Sequence, residues 1–151
     1  MSIEQDIQQV TRFRNEYHKI AVNLIYTYNW MMEKHKQFYE KGDVTPQQFN
    51  ILRILRGAGG PLSTLQIRQR MLDKMSDTSR IVDRLLKKQL VKKVTCKTDR
   101  RLVDVTISEK GLALLEELDT HQQDMDNILA TLTEEEAKTL NHFLDKMRNS
   151  E

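Results

Sequence analysis

Residues 76–88 contain polar and basic side chains at a helical spacing that could bind a nucleic acid. The helix predicted there has a small, polar first turn and a body that is basic on one side. Such a helix can lie in the major groove of DNA with its N-terminal residues at the base edges. The alternative is a surface helix with ordinary solvated charges. The candidate DNA-binding residues are Ser76, Asp77, Thr78, Ser79, Arg80 and Arg84, while Val82, Leu85 and Leu86 would face inward.

Three charged residues of this helix leave alternatives open. Arg80 and Arg84 are four residues apart and share a helix face, where they would contact base edges or phosphates. Salt bridges to Asp73 or Asp83 are the alternative for both arginines. Asp77 would either cap the helix or accept a hydrogen bond from the N4 amine of cytosine.

Residues that could carry catalysis or hold a metal are sparse. The four histidines stand apart from one another and from the single cysteine, Cys96, so the usual metal-ligand spacings do not occur. No glycine-rich phosphate loop, nucleophile elbow or zinc-finger pattern is present in the sequence. We therefore expect a protein that is not an enzyme and that has no metal or cofactor. Cys96 falls on a predicted strand, where a buried structural role is favoured over thiol sensing.

Charge is segregated along the chain. The 151 residues have a net charge of only +2, but residues 53–101 hold 14 Lys and Arg against 4 Asp and Glu, a net of +10. A basic middle between acidic flanks indicates one face for a polyanion. No apolar run approaches the roughly 20 residues of a membrane span, and the polar, acidic N-terminus is not a signal peptide. We expect a cytoplasmic protein, associated with the nucleoid through DNA and without a membrane partner.

The N-terminal segment predicts one long amphipathic helix over residues 3–40. Its apolar residues recur every three or four positions from Ile3 to Phe38. At about 1.5 Å rise per residue the helix would be about 54 Å long, which exceeds the diameter of a compact domain of this size. The apolar stripe therefore predicts a second chain that covers it.

Two capped helices follow and lead to residues 76–88. Thr45 with Gln48, and Ser63 with Gln66, have the spacing of a capping box. Thr64 lies within the second of these boxes. The helix capped by Ser63 and the helix of residues 76–88 are two short capped helices joined by a tight connection, which is typical of a helix-turn-helix. Ser63, Thr64 and Gln66 are also candidate phosphate contacts, Ser76 is the predicted N-cap of the next helix, and Leu65, Ile67, Met71 and Leu72 form the predicted buried side of the preceding one.

The periodicity changes to two after Leu90, which predicts a β-hairpin. Val103, Val105 and Ile107 alternate with Leu102, Asp104 and Thr106, and the polar stretch 97–101 forms the hairpin loop. A helix-turn-helix followed by such a hairpin is a winged helix. Its tip offers Lys97, Arg100 and Arg101 to a phosphate backbone or a narrow minor groove. After the hairpin, the sequence predicts a fifth helix capped by Ser108 that runs to Leu129, then a final helix with a capping box at Thr133 and Glu136.

At the wing the sequence resembles the MarR family of bacterial winged-helix transcription regulators. The resemblance is carried by Asp99-Arg100-Arg101, by residues 103–108, by Glu109-Lys110-Gly111 and by residues 79–85. It implies a homodimer with interlocking N- and C-terminal helices, a recognition helix in the major groove and a wing in the minor groove of a pseudo-palindromic operator. By the family pattern, Arg101 enters the minor groove and Asp99 orients the wing tip. Gln89 stands where the family often has a glycine with positive φ.

These observations predict a mainly α fold with a small β-wing: a winged helix-turn-helix flanked by N- and C-terminal dimerisation helices. Residues 1–151 would form a single MarR-like domain, with residues 45–108 as the DNA-binding region and 1–42 and 109–151 as dimerisation helices. The predicted function is a sequence-specific regulator of transcription, a ligand-responsive repressor acting as a homodimer on double-stranded DNA. The alternative is a winged-helix interaction module whose basic face binds an acidic protein.

The resemblance also implies a small aromatic or anionic effector. Tyr26, Trp30, Phe49 and Arg53 would line a cleft for it, and core packing is the alternative explanation of the three aromatic residues.

Overall fold

The computed structural model describes residues 1–95, 98–99 and 103–149. They belong to two compact units, residues 1–36 and residues 37–151. None of the helices in the described ranges has the length and apolar character that a membrane span requires. The elements are α1 (Ile3–Asp6), α2 (Glu16–Lys41), α3 (Pro46–Ala58), β1 (Leu62–Ser63), α4 (Thr64–Arg70), α5 (Thr78–Lys87), β2 (Val91–Thr95), β3 (Val103–Ile107), α6 (Glu109–Asp119), α7 (Gln122–Ile128) and α8 (Glu134–Arg148).

The first unit corrects the prediction of one helix over residues 3–40. Helix α1 has only four residues, Gln8 takes a left-handed φ of 53°, and α2 begins at Glu16. The side chain of Asn15 accepts a hydrogen bond from the backbone N–H of His18 (2.9 Å), as an N-cap does. Helix α2 has 26 residues, which corresponds to about 39 Å rather than 54 Å. The apolar spacing continues across the break, so periodicity alone did not reveal it.

Helix α2 leaves much of its apolar stripe uncovered. Tyr17 is 83% exposed, Tyr28 57% and Ile20 42%. Exposed apolar side chains in a row along one helix are typical of a surface that another molecule covers.

The core lies in the second unit and begins at α3. Thr45 and Gln48 form the predicted capping box, which fixes the start of α3. Ile51, Leu52 and Leu55 are at most 2% exposed, because their spacing of one, three and four residues places them on one side of the helix. Phe49 packs edge-to-face on the ring of Phe38 at 5.3 Å between centroids.

Helix α4 has the predicted capping box of Ser63 and Gln66 but a narrower buried side than predicted. Ile67 and Met71 are buried at 0% and 2% exposure. Leu65 and Leu72 are 63% and 87% exposed, so their predicted burial is wrong. The helix has only seven residues, and its single packed side is occupied by Ile67 and Met71, which are one turn apart.

The hairpin prediction is confirmed, and the sheet has one strand more than predicted. Strands β2 and β3 pair antiparallel, with Val91 opposite Ile107 and Thr95 opposite Val103. The two-residue strand β1 pairs with the other edge of β3, which gives the order β1-β3-β2. A strand of two residues is too short to show a period, so no pattern in the sequence indicated it.

The predicted fifth helix is two helices. Helix α6 ends at Asp119, and α7 begins at Gln122 after a short turn at Thr120 and His121. Leu115 and Leu118 are buried at 0% and 1% exposure, so these two residues of α6 belong to the core.

Helix α6 is tied to α3 by a two-pronged ion pair. Arg56 donates to both carboxylate oxygens of Asp119, at 2.7 Å and 3.2 Å. This bond holds the pKa of the Asp119 carboxyl below its usual range.

Helix α8 begins at the predicted capping box of Thr133 and Glu136 but contains no buried residue. Leu140 and Phe143 are 46% and 54% exposed. The part of the chain that the structure describes therefore does not cover the apolar side of α8.

Candidate nucleic-acid interface

The recognition-helix candidate α5 is capped by Asp77, not by Ser76. The Asp77 carboxylate accepts a hydrogen bond from the backbone N–H of Arg80 (3.2 Å). Ser76 instead donates its hydroxyl to the carbonyl of Asp73 (2.6 Å) and closes the turn before α5. Of the two alternatives for Asp77, the structure thus shows capping. The negative charge also lies at the positive end of the helix dipole, where it is favourable.

Thr78 faces the core, which corrects its prediction as an outward residue. It is 4% exposed, beside Val82 at 4% and Leu85 at 0%. Positions 78, 82 and 85 recur at helical spacing, so the start of α5 at Thr78 places that side chain on the buried side. The outward surface at the beginning of the helix is left to Ser79 and Arg80, both exposed.

The two arginines lie exposed on the outer face of α5. The Arg80 side chain is 81% exposed, and its Nε lies 3.2 Å from a carboxylate oxygen of Asp77 rather than beside Asp73 or Asp83. Water screens so exposed a pair, so it positions the guanidinium without holding it firmly. Within the described ranges, Arg84 makes no ion pair. Both guanidinium groups are therefore accessible to an external anion.

The C-terminal end of α5 is held by a tight backbone motif. Gln89 has a φ of 61°, so the positive φ expected where relatives often carry glycine is confirmed. The N–H of Leu90 donates to the carbonyl of Leu85, and that of Gln89 to Leu86, at 3.0 Å each. This is a Schellman motif, and the buried Leu90 and Leu85 supply its apolar contact.

The segment that begins α6 holds the same end of α5. Ser108 donates its hydroxyl to the Gln89 carbonyl at 2.7 Å and its N–H to the Leu90 carbonyl at 3.0 Å. Lys110 donates its ammonium to the Lys88 carbonyl at 3.0 Å. Three consecutive carbonyl groups at the end of the recognition-helix candidate thus accept hydrogen bonds from one neighbouring segment.

Lys88 is an internal anchor, a role that the sequence did not reveal. Its ammonium donates to the backbone carbonyl of Asp43 and to the side-chain oxygen of Gln48 (3.3 Å). Gln48 is 4% exposed and also caps α3, so it joins two elements. A lysine next to a lysine carries no sequence signal that separates the internal one from the solvated one.

The candidate phosphate contacts on α4 are largely engaged in capping. The Ser63 hydroxyl accepts from the Gln66 N–H (3.1 Å), and the Gln66 amide oxygen accepts from the Ser63 N–H (2.9 Å). Thr64 is half-buried next to them. The Gln66 amide nitrogen remains the donor that could face outward.

The wing strands bring further cations to the surface. Lys92 and Lys93 are exposed on β2. Asp99 is exposed near the tip, whereas Lys97, Arg100, Arg101 and Cys96 lie outside the described residues. The wing-tip contact predicted for Arg101 therefore stays a prediction.

The residues predicted to line an effector cleft fall in different units. Phe49 and Arg53 lie in the second unit, where the guanidinium of Arg53 stands 5.8 Å from the centre of the Phe49 ring. Tyr26 and Trp30 belong to the first unit. The second unit also has a groove of about 430 Å³ that Lys88, Lys110 and Leu114 help to line. Within residues 1–95, 98–99 and 103–149, no cluster of His, Cys, Asp or Glu is arranged to hold a metal.

Comparison with known proteins places this geometry in a family. Residues 42–102, from the turn before α3 into the wing, match the model of the MarR family. The chain is 34% identical over 109 residues to the HTH-type transcriptional repressor MdtR of Bacillus subtilis (strain 168), a match that covers 72% of this chain and 70% of MdtR.

Solved structures show the same fold. The structure of a MarR mutant from E. coli in complex with operator DNA superposes with a TM-score of 0.78 at 24% identity and covers 91% of this chain and 99% of that one. The structure of Bordetella bronchiseptica BpsR, whose DNA binding is described as regulated by 6-hydroxynicotinic acid, gives a TM-score of 0.78 at 23% identity and covers 87% and 94%. Taken with the capped helix pair and the hairpin, these matches mean that the chain belongs to the MarR family of DNA-binding transcriptional regulators.

Proposed function

We propose that this protein is a sequence-specific regulator that binds a pseudo-palindromic operator in double-stranded DNA as a homodimer, with α5 in the major groove. The observation that carries the proposal is the arrangement of α5. One side of the helix is fixed in the core by Thr78, Val82 and Leu85, and the opposite side presents Arg80 and Arg84 to solvent. Arginine is the side chain that most often reads guanine in the major groove.

The remaining candidate residues have distinct roles in this proposal. Arg80, oriented by Asp77, reads a base edge, and Ser79 and Arg84 contact a base edge or phosphate. Gln66 contacts the phosphate backbone from the start of α4. At the wing, Arg101 enters the minor groove, Asp99 orients the tip, and Lys97 and Arg100 neutralise phosphates.

The homodimer is supported by two uncovered apolar surfaces. Helix α2 exposes Tyr17 and Tyr28, and α8 exposes Leu140 and Phe143. A two-fold arrangement would place two copies of α5 about one duplex turn, roughly 34 Å, apart, which suits a palindromic site.

We further propose that the protein is a repressor released by a small aromatic or anionic effector. MdtR is named as a repressor, and the DNA binding of BpsR is described as regulated by 6-hydroxynicotinic acid. In this chain, the groove that Lys88 and Lys110 help to line lies between the end of α5 and α6. An acid bound there would contact the end of the helix that reads DNA.

Genomic footprinting with the purified protein, followed by gel-shift titration of the protected sequence, tests the proposal. We expect protection of a pseudo-palindrome. Arg80→Ala should relax base specificity at one position of each half-site by about 1–3 kcal/mol, because a bidentate contact is lost. Arg101→Ala should weaken binding to all sequences and reduce its salt dependence.

The matched control is Arg148→Ala, because Arg148 is an exposed arginine of α8 that pairs with Asp145. This variant should bind as the parent does. Binding without sequence preference at moderate salt would contradict the proposed function.

A further inference from the structure

The turn between α4 and α5 presents two large apolar side chains to solvent. Met75 is 94% exposed and Leu72 is 87% exposed, whereas Met71 in the same stretch is 2% exposed. The nearby Met71 shows that the core can accommodate a methionine from this part of the chain. Met75 and Leu72 are therefore outside the core because of where the turn places them.

This turn is held in one conformation by its own polar groups. The side chain of Asn50 on α3 accepts from the N–H of Leu72 (2.9 Å), and the carboxylate of Asp73 accepts from the N–H of Met75 (3.0 Å). Ser76 donates to the Asp73 carbonyl. The backbone under Met75 is thus fixed, and the exposure of its side chain is a property of a well-bonded turn.

The surroundings of Met75 match the surface of DNA. Arg70, Lys74 and Arg80 are exposed within five residues of it on either side. The two acidic groups of the turn, Asp73 and Asp77, accept hydrogen bonds from backbone N–H groups. An exposed apolar side chain with three exposed cationic residues close to it in the sequence fits a polyanion that also offers an apolar group.

The major groove offers one such group. The C5 methyl of thymine lies there, and apolar side chains contact it. Met75 stands two residues before Asp77, the N-cap of α5, so it would enter the groove together with the N-terminal end of that helix. Its unbranched thioether side chain adapts to an uneven surface.

We propose that Met75 is a specificity-determining residue that recognises the methyl group of one thymine in each operator half-site. The inference rests on the proposed binding of α5 in the major groove. It adds an apolar contact to the polar contacts made by Arg80 and Arg84.

The test removes the thymine methyl group from the DNA and, separately, truncates the Met75 side chain of the protein. Operator duplexes are prepared with 2′-deoxyuridine at one thymine position of each half-site at a time, and the affinities of the parent and of Met75→Ala are measured by gel shift. At one position the parent should lose about four-fold in affinity per half-site, the value of one buried methyl-sized group. Met75→Ala should bind the thymine duplex more weakly than the parent and should not distinguish thymine from uracil at that position.

Leu72→Ala is the matched control, since Leu72 is equally apolar and exposed on the same turn but lies five residues from the N-cap. It should keep the thymine preference of the parent. Both variants should melt at the parent's temperature, because both side chains are exposed.

Equal thymine preference in the parent and in Met75→Ala would overturn the inference, as would its loss in Leu72→Ala alone. Parent-like affinity of Met75→Ala on every duplex would also overturn it. In all three cases the parent still binds its operator, so the proposed function stands. Failure of the parent to bind any operator is a different result and contradicts the proposed function itself.

Discussion

Two adjacent lysines at the end of α5 have different tasks. Lys87 is exposed, whereas Lys88 is half-buried and donates hydrogen bonds to the backbone carbonyl of Asp43 and to the side-chain oxygen of Gln48. A cation that is bonded within its own chain displaces no counterion from DNA when the complex forms. The basic residues of the middle segment therefore contribute unequally to phosphate binding, and their net charge of +10 overstates the charge that DNA can reach.

The pair Lys87→Met and Lys88→Met tests this difference. Lys87→Met should lower the slope of log affinity against log salt by about 0.9, the value of one phosphate contact. Lys88→Met should leave the slope unchanged and should instead lower the free energy of unfolding by about 1–2 kcal/mol, because the buried Gln48 side chain loses a hydrogen-bond partner. Salt-titrated gel shifts and urea unfolding measure the two quantities, and a reduced slope in Lys88→Met would contradict the anchor role.

Residue roles that depend on close neighbours were predictable. Thr45, Ser63, Ser108 and Thr133 are N-caps as expected, because each accepts a bond from a backbone N–H three residues further on. The N-cap of α5 was not predictable in this way, because Ser76 was expected and Asp77 is the cap. Serine and aspartate are both good N-caps. Which of the two residues caps α5 decides where the helix begins, and a start at Thr78 places that side chain on the buried side. The roles of Arg80, Arg84 and Arg101 toward DNA stay predictions.

At the scale of elements, the backbone that follows α5 and the first turn of α6 approach each other very closely. A Cβ on Gly111 would stand 2.3 Å from the carbonyl oxygen of Leu90 and 2.7 Å from Cγ1 of Ile107. The oxygen belongs to the backbone and already accepts the Ser108 N–H. The glycine of the Glu109-Lys110-Gly111 motif is therefore required by the close approach of two elements.

Gly111→Ala and Gly57→Ala form a matched pair of helix substitutions. Gly111→Ala should lower the free energy of unfolding by about 2–3 kcal/mol, since the end of α5 must move to admit the methyl group. Gly57 lies in α3, and a Cβ added there would have no atom of the described residues within 4 Å, so Gly57→Ala should raise the free energy of unfolding by about 0.5–1 kcal/mol. Thermal unfolding of both variants measures the effects, and equal shifts would contradict the contact.

The ion pair between α3 and α6 makes stability depend on pH. The Arg56 hydrogen bond lowers the pKa of Asp119 below its usual value of 3.8, so the carboxylate contributes stability at neutral pH. That contribution is present above about pH 4 and is lost as the pH falls through the lowered pKa. Because both side chains are about a third exposed, we expect only about 0.5–1 kcal/mol.

Asp119→Asn should therefore be less stable than the parent at pH 7, and the difference should shrink toward pH 3. Asp145→Asn removes the exposed carboxylate that pairs with Arg148 and should show little change. Urea unfolding between pH 7 and pH 3 measures both. A constant difference across this range would mean that the pair does not act through the charge of Asp119.

Elements with a clear period and a cap were predictable, and the breaks between them were not. The hairpin of β2 and β3 followed from its period of two. The helical conformation is interrupted between α1 and α2 and again between α6 and α7, although the apolar spacing in the sequence continues through both interruptions. The spacing of apolar residues indicates which side of a helix is covered. An interruption that leaves this spacing unchanged therefore gives no signal in the sequence.

For the whole molecule, the uncovered side of α8 is the clearest sign of assembly. We expect the parent to sediment at twice the chain mass of 17.8 kDa. Phe143→Glu should sediment as the monomer and should bind operator DNA more weakly, because a buried charge opposes association and the two copies of α5 are no longer linked. Sedimentation velocity and gel shift measure these outcomes.

Lys138→Glu is the control for that variant, since Lys138 lies on the opposite side of α8 and pairs with Glu134. It should remain a dimer. A parent that sediments as a monomer would favour the interaction module over the two-fold DNA reader.

The absence of any buried residue in α8 also has a consequence for dilution. An isolated helix of 15 residues is marginal in water, so α8 needs a surface to pack on if it is to persist. If a second copy supplies that surface, helix formation at the C-terminus and association are one equilibrium, governed by mass action. Lowering the protein concentration would then act on α8 as a denaturant does, and its amide hydrogens would exchange faster in dilute solution while those of α3 stayed protected.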